Sequence, residues 1–305
     1  MFTAPDDRFH FAEMGDDWWA TETAWFSFHH PARRLGGWLY TLVRPNIGTV
    51  AGGAWVWDHT AHLPWEVLYS ANYSALPLPR DRDLDDCVLP TGVSIRALEP
   101  GQVYALGYSD GDRLRAELRF EGVMPPQPLT AVGSTFGASH HYDQLGRVHG
   151  HIVLHGEHIP IDCIAMRDRT WGRRPEDRPR QAAYVTAAEA NGGFLAVTNV
   201  RDGHETVAYG FLRRDGTTTN LAEGTRAVTR DPQGWIRSIR IEATDSAGRR
   251  VVATGEPVSR IIVDRHTFID VNSLVRWEID GREAWGEDQD MWPVHRWAAR
   301  RRVAT

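Results

Sequence analysis

Hydrophobic and polar positions alternate along much of the chain. In 113–121, Leu114, Ala116, Leu118 and Phe120 interleave with Arg113, Arg115, Glu117 and Arg119. A repeat of two puts one set in a core and the other in water, as in a half-buried β-strand. β-rich runs predict strands over 38–43 and 54–57, and near 65–70, 93–98 and 102–109. More are expected near 147–155, 159–166, 182–188, 193–200 and 206–213, then near 225–230, 235–244, 249–254, 259–264 and 273–279. Turn signals such as Asn191-Gly192-Gly193, Asp215-Gly216 and Ala247-Gly248 separate them. Asp280-Gly281, between two β-rich runs, is the clearest hairpin. Helical periodicity is nearly missing, with short helices expected near 82–87 and at 295–302. The pattern predicts an all-β fold of antiparallel strands, closed or nearly closed so that edges are not left open.

Pro125, Pro126 and Pro128 interrupt the rhythm, because proline cannot donate to a ladder. The break divides the chain into an N-terminal β unit, 1–130, and a C-terminal β unit, 131–305. With 42% hydrophobic and 24% charged residues, the chain has the composition of a globular protein rather than a disordered one. A net charge of −6 argues against a nucleic-acid partner held through phosphates. All 34 basic residues are Arg. Without lysine, Schiff-base chemistry, pyridoxal phosphate attachment and a P-loop are excluded. Cys87 and Cys163 make no paired-Cys zinc motif and read as reduced, buried thiols. No apolar run reaches membrane-spanning length, and the N-terminus lacks the pattern of a signal peptide, so a cytoplasmic protein without membrane insertion is expected.

Three clusters could carry chemistry. The first is His140-His141-Tyr142-Asp143-Gln144, followed by a histidine row at His149, His151 and His155. The even spacing of the row would share one strand face and raises a zinc or iron site, against a plain surface or lumen row. The second is Arg167-Asp168-Arg169-Thr170-Trp171-Gly172-Arg173-Arg174. It reads as a pocket rim or an ion-paired corner, in which Asp168 would accept from Arg167, Arg173 or another guanidinium and Trp171 would cap a cavity or stack on an Arg. The third is Trp285-Gly286-Glu287-Asp288-Gln289-Asp290. Carboxyls beside tryptophan suit a raised-pKa acid, although Asp290 reads as a solvated exit from the last strand. The 13 Trp point to an aromatic core or to a pocket for a flat apolar ligand; Trp18, Trp19, Trp25, Phe26, Phe28 and Trp38 would plug or line a barrel. Nucleotide, nicotinamide and serine-hydrolase motifs are missing.

The run Arg167-Asp168-Arg169-Thr170-Trp171-Gly172-x-Arg174 resembles the Arg-Asp-His-Ser-Trp-Gly-x-Arg motif of the lipocalin-like family of carotenoid 1,2-hydratase (hydroxyneurosporene synthase), kievitone hydratase and fungal Diels–Alderases. Leu35-Gly36-Gly37-Trp38 with Arg44-Pro45-Asn46-x-Gly48, Tyr142-Asp143-Gln144 before Val148-x-Gly150, and Trp277-x-x-Asp280-Gly281-Arg282-x-x-x-Gly286-x-x-Asp288 are similar to its bacterial uncharacterised branch. The resemblance implies two tandem lipocalin-like antiparallel β-barrels of the calycin type. It also implies a hydrophobic small-molecule substrate and reactions without a cofactor: hydration, dehydration, cyclisation or isomerisation. Arg169 stands where the family often has His, and Thr170 where it often has Ser.

On this reading Asp168 or Asp143 is the general acid/base, with His141 and Tyr142 as relay or orienting groups. Trp171, Trp285, Arg167, Gln144, Glu287 and Asp288 would line or orient the substrate pocket, and tryptophan faces would stabilise a developing cation. A carrier of a terpenoid, polyketide or other apolar ligand is the alternative, and a metal-dependent hydrolase or oxygenase on the histidine row is a third. A monomer or homodimer is expected.

Overall fold

The computed structural model describes residues 2–129, 140–175, 181–201, 203–265 and 267–303. The two-residue period builds two β units. The first uses β1 (Ala20–His30), β2 (Leu35–Arg44), β3 (Thr49–Trp57), β4 (Tyr69–Pro77), β5 (Asp86–Val88) and β6 (Val93–Glu99). It continues with β7 (Val103–Asp110), β8 (Leu114–Gly122), the two-residue β9 (Gln127–Pro128), β10 (His140–Leu154) and β11 (Glu157–Arg173). These form one antiparallel sheet in the order β4-β3-β2-β1-β11-β10-β8-β7-β6-β5, with β9 on β10, curled into a half-barrel. Phe26, Phe28, Tyr104, Phe120, Val148 and Ile161 are buried on its concave side.

The second unit is a closed barrel in which each strand pairs with the next and the last returns to the first. Its strands are β12 (Ala182–Glu189), β13 (Gly192–Arg201), β14 (His204–Arg214), β15 (Thr217–Arg230), β16 (Ile236–Asp245), β17 (Arg250–Asp264), β18 (Phe268–Ile279) and β19 (Arg282–Pro293). The helix α1 (Val294–Val303) follows. Phe194, Ile241, Val251 and Trp277 fill the lumen, and the Phe194 and Trp277 rings meet edge to face at 5.7 Å. No helix among the described residues is long and apolar enough to cross a membrane.

The expected all-β, tandem lipocalin-like fold is therefore present, with one closed barrel and one open one. The division at 130/131 is corrected. Strands β10 and β11 return to the first sheet, where β11 pairs with β1 over Ala20–Phe26 and β10 pairs with β8. Among the described residues the first unit covers 2–57, 68–129 and 140–175, and the second covers 58–67 and the residues from 181 onward. The prolines mark an excursion of the chain, not the end of a sheet. Residues 130–139, part of the expected break, lie outside the described residues. The helix near 82–87 is not formed: turns lead into β5, where Cys87 is buried. The separate strands 249–254 and 259–264 are one strand, β17, interrupted by a register shift between Pro257 and Ser259.

The barrel closes along β12 and β19, and Gly286 sits in that seam. A Cβ there would lie 2.1 Å from the Thr186 carbonyl oxygen. Gly286→Ala is expected to destabilise the protein by about 1–3 kcal/mol as the seam is forced apart. A urea midpoint equal to that of the parent protein would show that the strands do not approach so closely.

Candidate functional site

Successive side chains on a strand point to opposite faces, and this splits the predicted clusters in two. Cross-strand pairing puts Tyr142 opposite Arg169, and Gln144 opposite Arg167. These residues share the concave face with the core. His141 lies opposite Thr170, and Asp143 opposite Asp168, on the other face.

On the concave face the charges are structural. Arg167 is buried; it donates from Nε to Gln144 Oε1 at 2.6 Å and from Nη1 to the Tyr142 hydroxyl at 3.2 Å. Its guanidinium lies 4.2 Å from the Tyr104 ring centroid, and Asp7 is 3.8 Å away. Arg169 pairs with Glu22 and donates to the Arg8 carbonyl at 2.8 Å. Glu22 also accepts from the His10 N–H at 2.6 Å. Burial pushes the Glu22 carboxyl up, but the Arg169 charge and these hydrogen bonds more than offset it, leaving its pKa lowered. Trp171 stacks between His10, at 4.3 Å, and His140, at 5.2 Å. These contacts fasten the N-terminal segment across the half-barrel.

This geometry places several of the predicted residues away from the carboxyl pair on the other face. Arg167 does not orient the carboxylates, because it points away from them. Gln144 Nε2 donates to the Gly101 and Met124 carbonyls at 2.8 and 2.7 Å. Trp171 packs between imidazoles, and the Arg169 guanidinium lies 5.6 Å from its ring centroid, as in the arginine stacking expected as one option for it. Burial pushes the Tyr142 phenol up to about 12, so it is protonated near neutrality, and its hydroxyl accepts from Arg167. Arg173 pairs with Asp17 at 2.7 Å.

The opposite face carries acid–base groups beside an aromatic wall. His141 Nε2 is 3.0 Å from Asp143 Oδ2, and its Nδ1 is 2.7 Å from Thr170 Oγ1. Asp143 and Asp168 stand directly opposite each other on β10 and β11, a placement in which Cβ atoms lie about 4.5–5.5 Å apart. Burial pulls the His141 pKa down, but the charge and hydrogen bond of Asp143, with Asp168 behind, outweigh it, so the pKa is raised. Trp25 lies opposite Asp168 on the adjoining strand. From it the wall runs through Trp38 (5.7 Å, edge to face) to Trp55 and Trp57, 6.1 and 5.5 Å from Trp38. All four indoles are buried. Gly36 makes room for one of them: a Cβ there would meet the Trp57 ring at 2.5 Å.

The third cluster lies in the second unit and is itself divided. Trp285 is on the outer wall, half-buried, donating to Glu283 at 3.0 Å. Glu287 is buried on the outer face, whereas Asp288 points into the lumen, with its two oxygens on Arg226 at 2.9 and 2.8 Å. Asp290, expected to be solvated, is buried there too and accepts from Arg230 at 2.8 Å. Burial pushes Asp290 up, but Arg226 and Arg230 outweigh it and hold its carboxyl below the usual range. Arg226 escaped the sequence reading, although it stands in phase with Val228 at a lumen position and so carried a signal. The histidine row does not converge: His149 is 3.5 Å from Glu121, His151 stacks on His158, and His155 sits in a turn facing the Leu68 carbonyl. Among the described residues no three His, Cys, Asp or Glu side chains form a metal-ligand set. A shallow trough of about 510 Å³ in the first unit, lined by Asp86, Cys87, Arg96, Gly107 and His149 among others, contains none of the acid–base residues.

The fold is that of tandem lipocalin-like β proteins, with His141, Asp143 and Asp168 together on a face that also carries the indoles. Among solved structures the chain is similar to an AttH-assigned protein from Nitrosomonas europaea, with 14% identity, 96% of each chain covered and a TM-score of 0.59. It is also similar to kievitone hydratase from Nectria haematococca, at 11% identity over 90% of this chain and 89% of that one, TM-score 0.57. CghA in complex with Sch210972 matches at 11% identity over 88% and 87%, TM-score 0.57. No curated protein matches the sequence. The model of a domain of unknown function, DUF7064, matches residues 3–293, and the chain belongs to that family.

Two measurements test the two faces. Arg169→Met is expected to destabilise the fold by about 3–5 kcal/mol, because it strands the buried Glu22 charge; adding Glu22→Leu should recover most of that loss. Equal stability of the single and double variants would rule out the pair. For His141, a raised pKa means that its stabilising contribution is complete below the unfolded value near 6.5 and is lost as pH rises through the folded value. NMR titration should place His141 above 6.5, and Asp143→Asn should drop it below, since only the weaker charge of Asp168 then opposes burial. An unchanged titration would break the link.

Proposed function

We propose that this protein is a hydro-lyase or cyclase that acts on a hydrophobic small molecule by proton transfer at His141, Asp143 and Asp168. The observation that carries the reading is the facing pair of carboxyls, joined by a buried imidazole, beside the Trp25–Trp38–Trp55–Trp57 wall. The charges of Asp143 and Asp168 raise the His141 pKa, so the imidazole holds its proton more tightly than a free one. Both imidazole nitrogens are engaged, by Asp143 and Thr170, so in this reading His141 supplies charge and the carboxyl pair Asp143 and Asp168 exchanges the proton with substrate.

In dehydration the acid protonates a leaving hydroxyl, the C–O bond breaks with its electrons on oxygen, and water departs. The conjugate base then takes a proton from the neighbouring carbon to give the alkene. Hydration runs the same steps in reverse, and cyclisation replaces water with an internal alkene or carbonyl. Indole faces support positive charge developing on carbon, which water would otherwise solvate. Arg169 needs no proton-carrying role in this scheme, because it lies on the opposite face with Glu22. The fold shared with kievitone hydratase and CghA is consistent with such chemistry, and the substrate remains to be identified by assay.

The test incubates the full chain with prenylated phenols, polyenes and polyketide trienes in ¹⁸O-labelled water and follows mass and retention time. Turnover with gain or loss of water, or an isomeric product, is expected, falling about 10²–10⁴-fold in Asp168→Asn. Ligand that binds and returns unchanged would identify a carrier instead, and full activity in a chain with both Asp143→Asn and Asp168→Asn would remove the trio from the mechanism.

A further inference from the structure

The second unit gathers positive charge at one corner, in a chain whose net charge is −6. Four of the ten residues of α1 are arginine, and none is acidic. Trp297 seats the helix on the turn between β15 and β16, where its ring lies 5.7 Å from that of Trp235. Arg301 donates to the Gln233 carbonyl in that turn, with its guanidinium 4.7 Å from the Trp235 centroid. Arg260 of β17 lies over the same indole at 5.1 Å. Residues 58–67 belong to this unit and join the group. The His62 carbonyl accepts from the Ile262 N–H at 2.9 Å, and the His62 ring meets Trp235 at 5.0 Å.

These cations are held by an indole and a backbone oxygen more than by acids. Burial lowers the Arg260 pKa and the Arg237 charge lowers it further, with Asp231 in opposition. Asp231 is itself paired with Arg237, at 2.9 Å. Burial also lowers His62, with Arg260 and Arg301 on the same side and Glu66 against. Arg300, against Gly234, is lowered by burial and by Arg230, with Asp290 opposing, and its Nε has no hydrogen-bond partner among the described residues. Around this braced centre stand more exposed groups. The Arg237 side chain is 66% exposed, and Arg296 and Arg302 of α1 are exposed too. Trp65 is 77% exposed, and three residues of chain keep its Cα within about 11 Å of that of His62.

We infer that this corner, formed by α1, the β15–β16 turn and residues 58–67, docks on an anionic lipid surface. Guanidinium groups bind phosphate through paired N–H donors, and several on one patch hold a layer of headgroups rather than a single ion. The exposed indole narrows the choice of partner. Tryptophan settles where one end of the ring is wet and the other apolar, which a lipid headgroup layer offers and an acidic polypeptide does not. No helix among the described residues is long and apolar enough to cross a membrane, so the contact is peripheral. A chain of net charge −6 is on average repelled by such a surface, so binding reports on a local patch.

The test sediments the full chain with vesicles of phosphatidylcholine containing about 30% phosphatidylserine, and with phosphatidylcholine alone. Binding to the anionic vesicles is expected, with little to the neutral ones and a loss of about tenfold or more in about 0.5 M salt. Arg237→Gln, Arg296→Gln and Arg302→Gln combined change exposed positions and leave the packed arginines in place. That chain should melt with the parent protein and bind the anionic vesicles about a hundredfold more weakly, about fivefold for each charge. Trp65→Ala should weaken binding as well, and Trp65→Phe should keep most of it. If the triple variant melts lower, the salt series on the parent protein and the two Trp65 variants decide. The inference is overturned if the parent protein does not sediment with the anionic vesicles, or if it binds both kinds equally. It is overturned equally if a folded triple variant binds as well as the parent protein. Capture on poly-glutamate without vesicle binding would also overturn it and give the corner to an acidic protein.

Discussion

Two guanidinium groups carry permanent charge into the core of the first unit, and much of its architecture answers to them. Moving an ion out of water costs several kcal/mol even after relaxation. Arg167 and Arg169 are tolerated because Glu22, Asp7, Gln144, Tyr142 and backbone carbonyls of the N-terminal segment surround them. That segment is consequently not a loose tail. Asp7 accepts from the Gly101 N–H and the Tyr104 hydroxyl, both at 2.7 Å, and His10 stacks on Trp171. Charge that must be neutralised inside the curl thus determines where the chain begins its sheet, and leaves the other side of β11 for different work.

That other side shows how one short motif serves two purposes. In Arg167-Asp168-Arg169-Thr170-Trp171 the odd residues hold the core together, and the even ones join His141 and Asp143. A strand makes this division without any bend, because its side chains alternate. The position where relatives of the resembling family often carry histidine is, in this chain, on the structural side. The imidazole beside the carboxyls comes from β10.

The alternation of 113–121, the Asp280-Gly281 hairpin and the late helix were legible because each depends on neighbours within a few residues. What could not be read was pairing between distant strands. The union of β1 with β11 joins residues about 150 positions apart, and no local pattern announces it, so the proline break looked like a boundary. The site was half legible for the same reason. His141, Tyr142, Asp143 and Gln144 are adjacent in sequence and read as one cluster, yet a strand sends two to each face. The aromatic wall needed Trp25, Trp38, Trp55 and Trp57 on three strands to be aligned, and spacing alone does not align them. In the second unit, a single register shift turned Ser259 outward, a change of phase that the sequence of β17 hides.

The cysteines and the absence of lysine bear on what such a protein is able to handle. Burial pushes the Cys87 thiol up to about 12, and the Cys163 sulfur is buried and accepts from the His29 N–H at 3.4 Å. With no ε-amine in the sequence and no accessible thiolate at these positions, the chain offers few soft nucleophiles to attack an electrophile. Enones, quinone methides and other Michael acceptors, which alkylate lysine and cysteine in ordinary proteins, would find neither an ε-amine nor an accessible thiolate at these positions, which leaves histidine as the side chain to trap them.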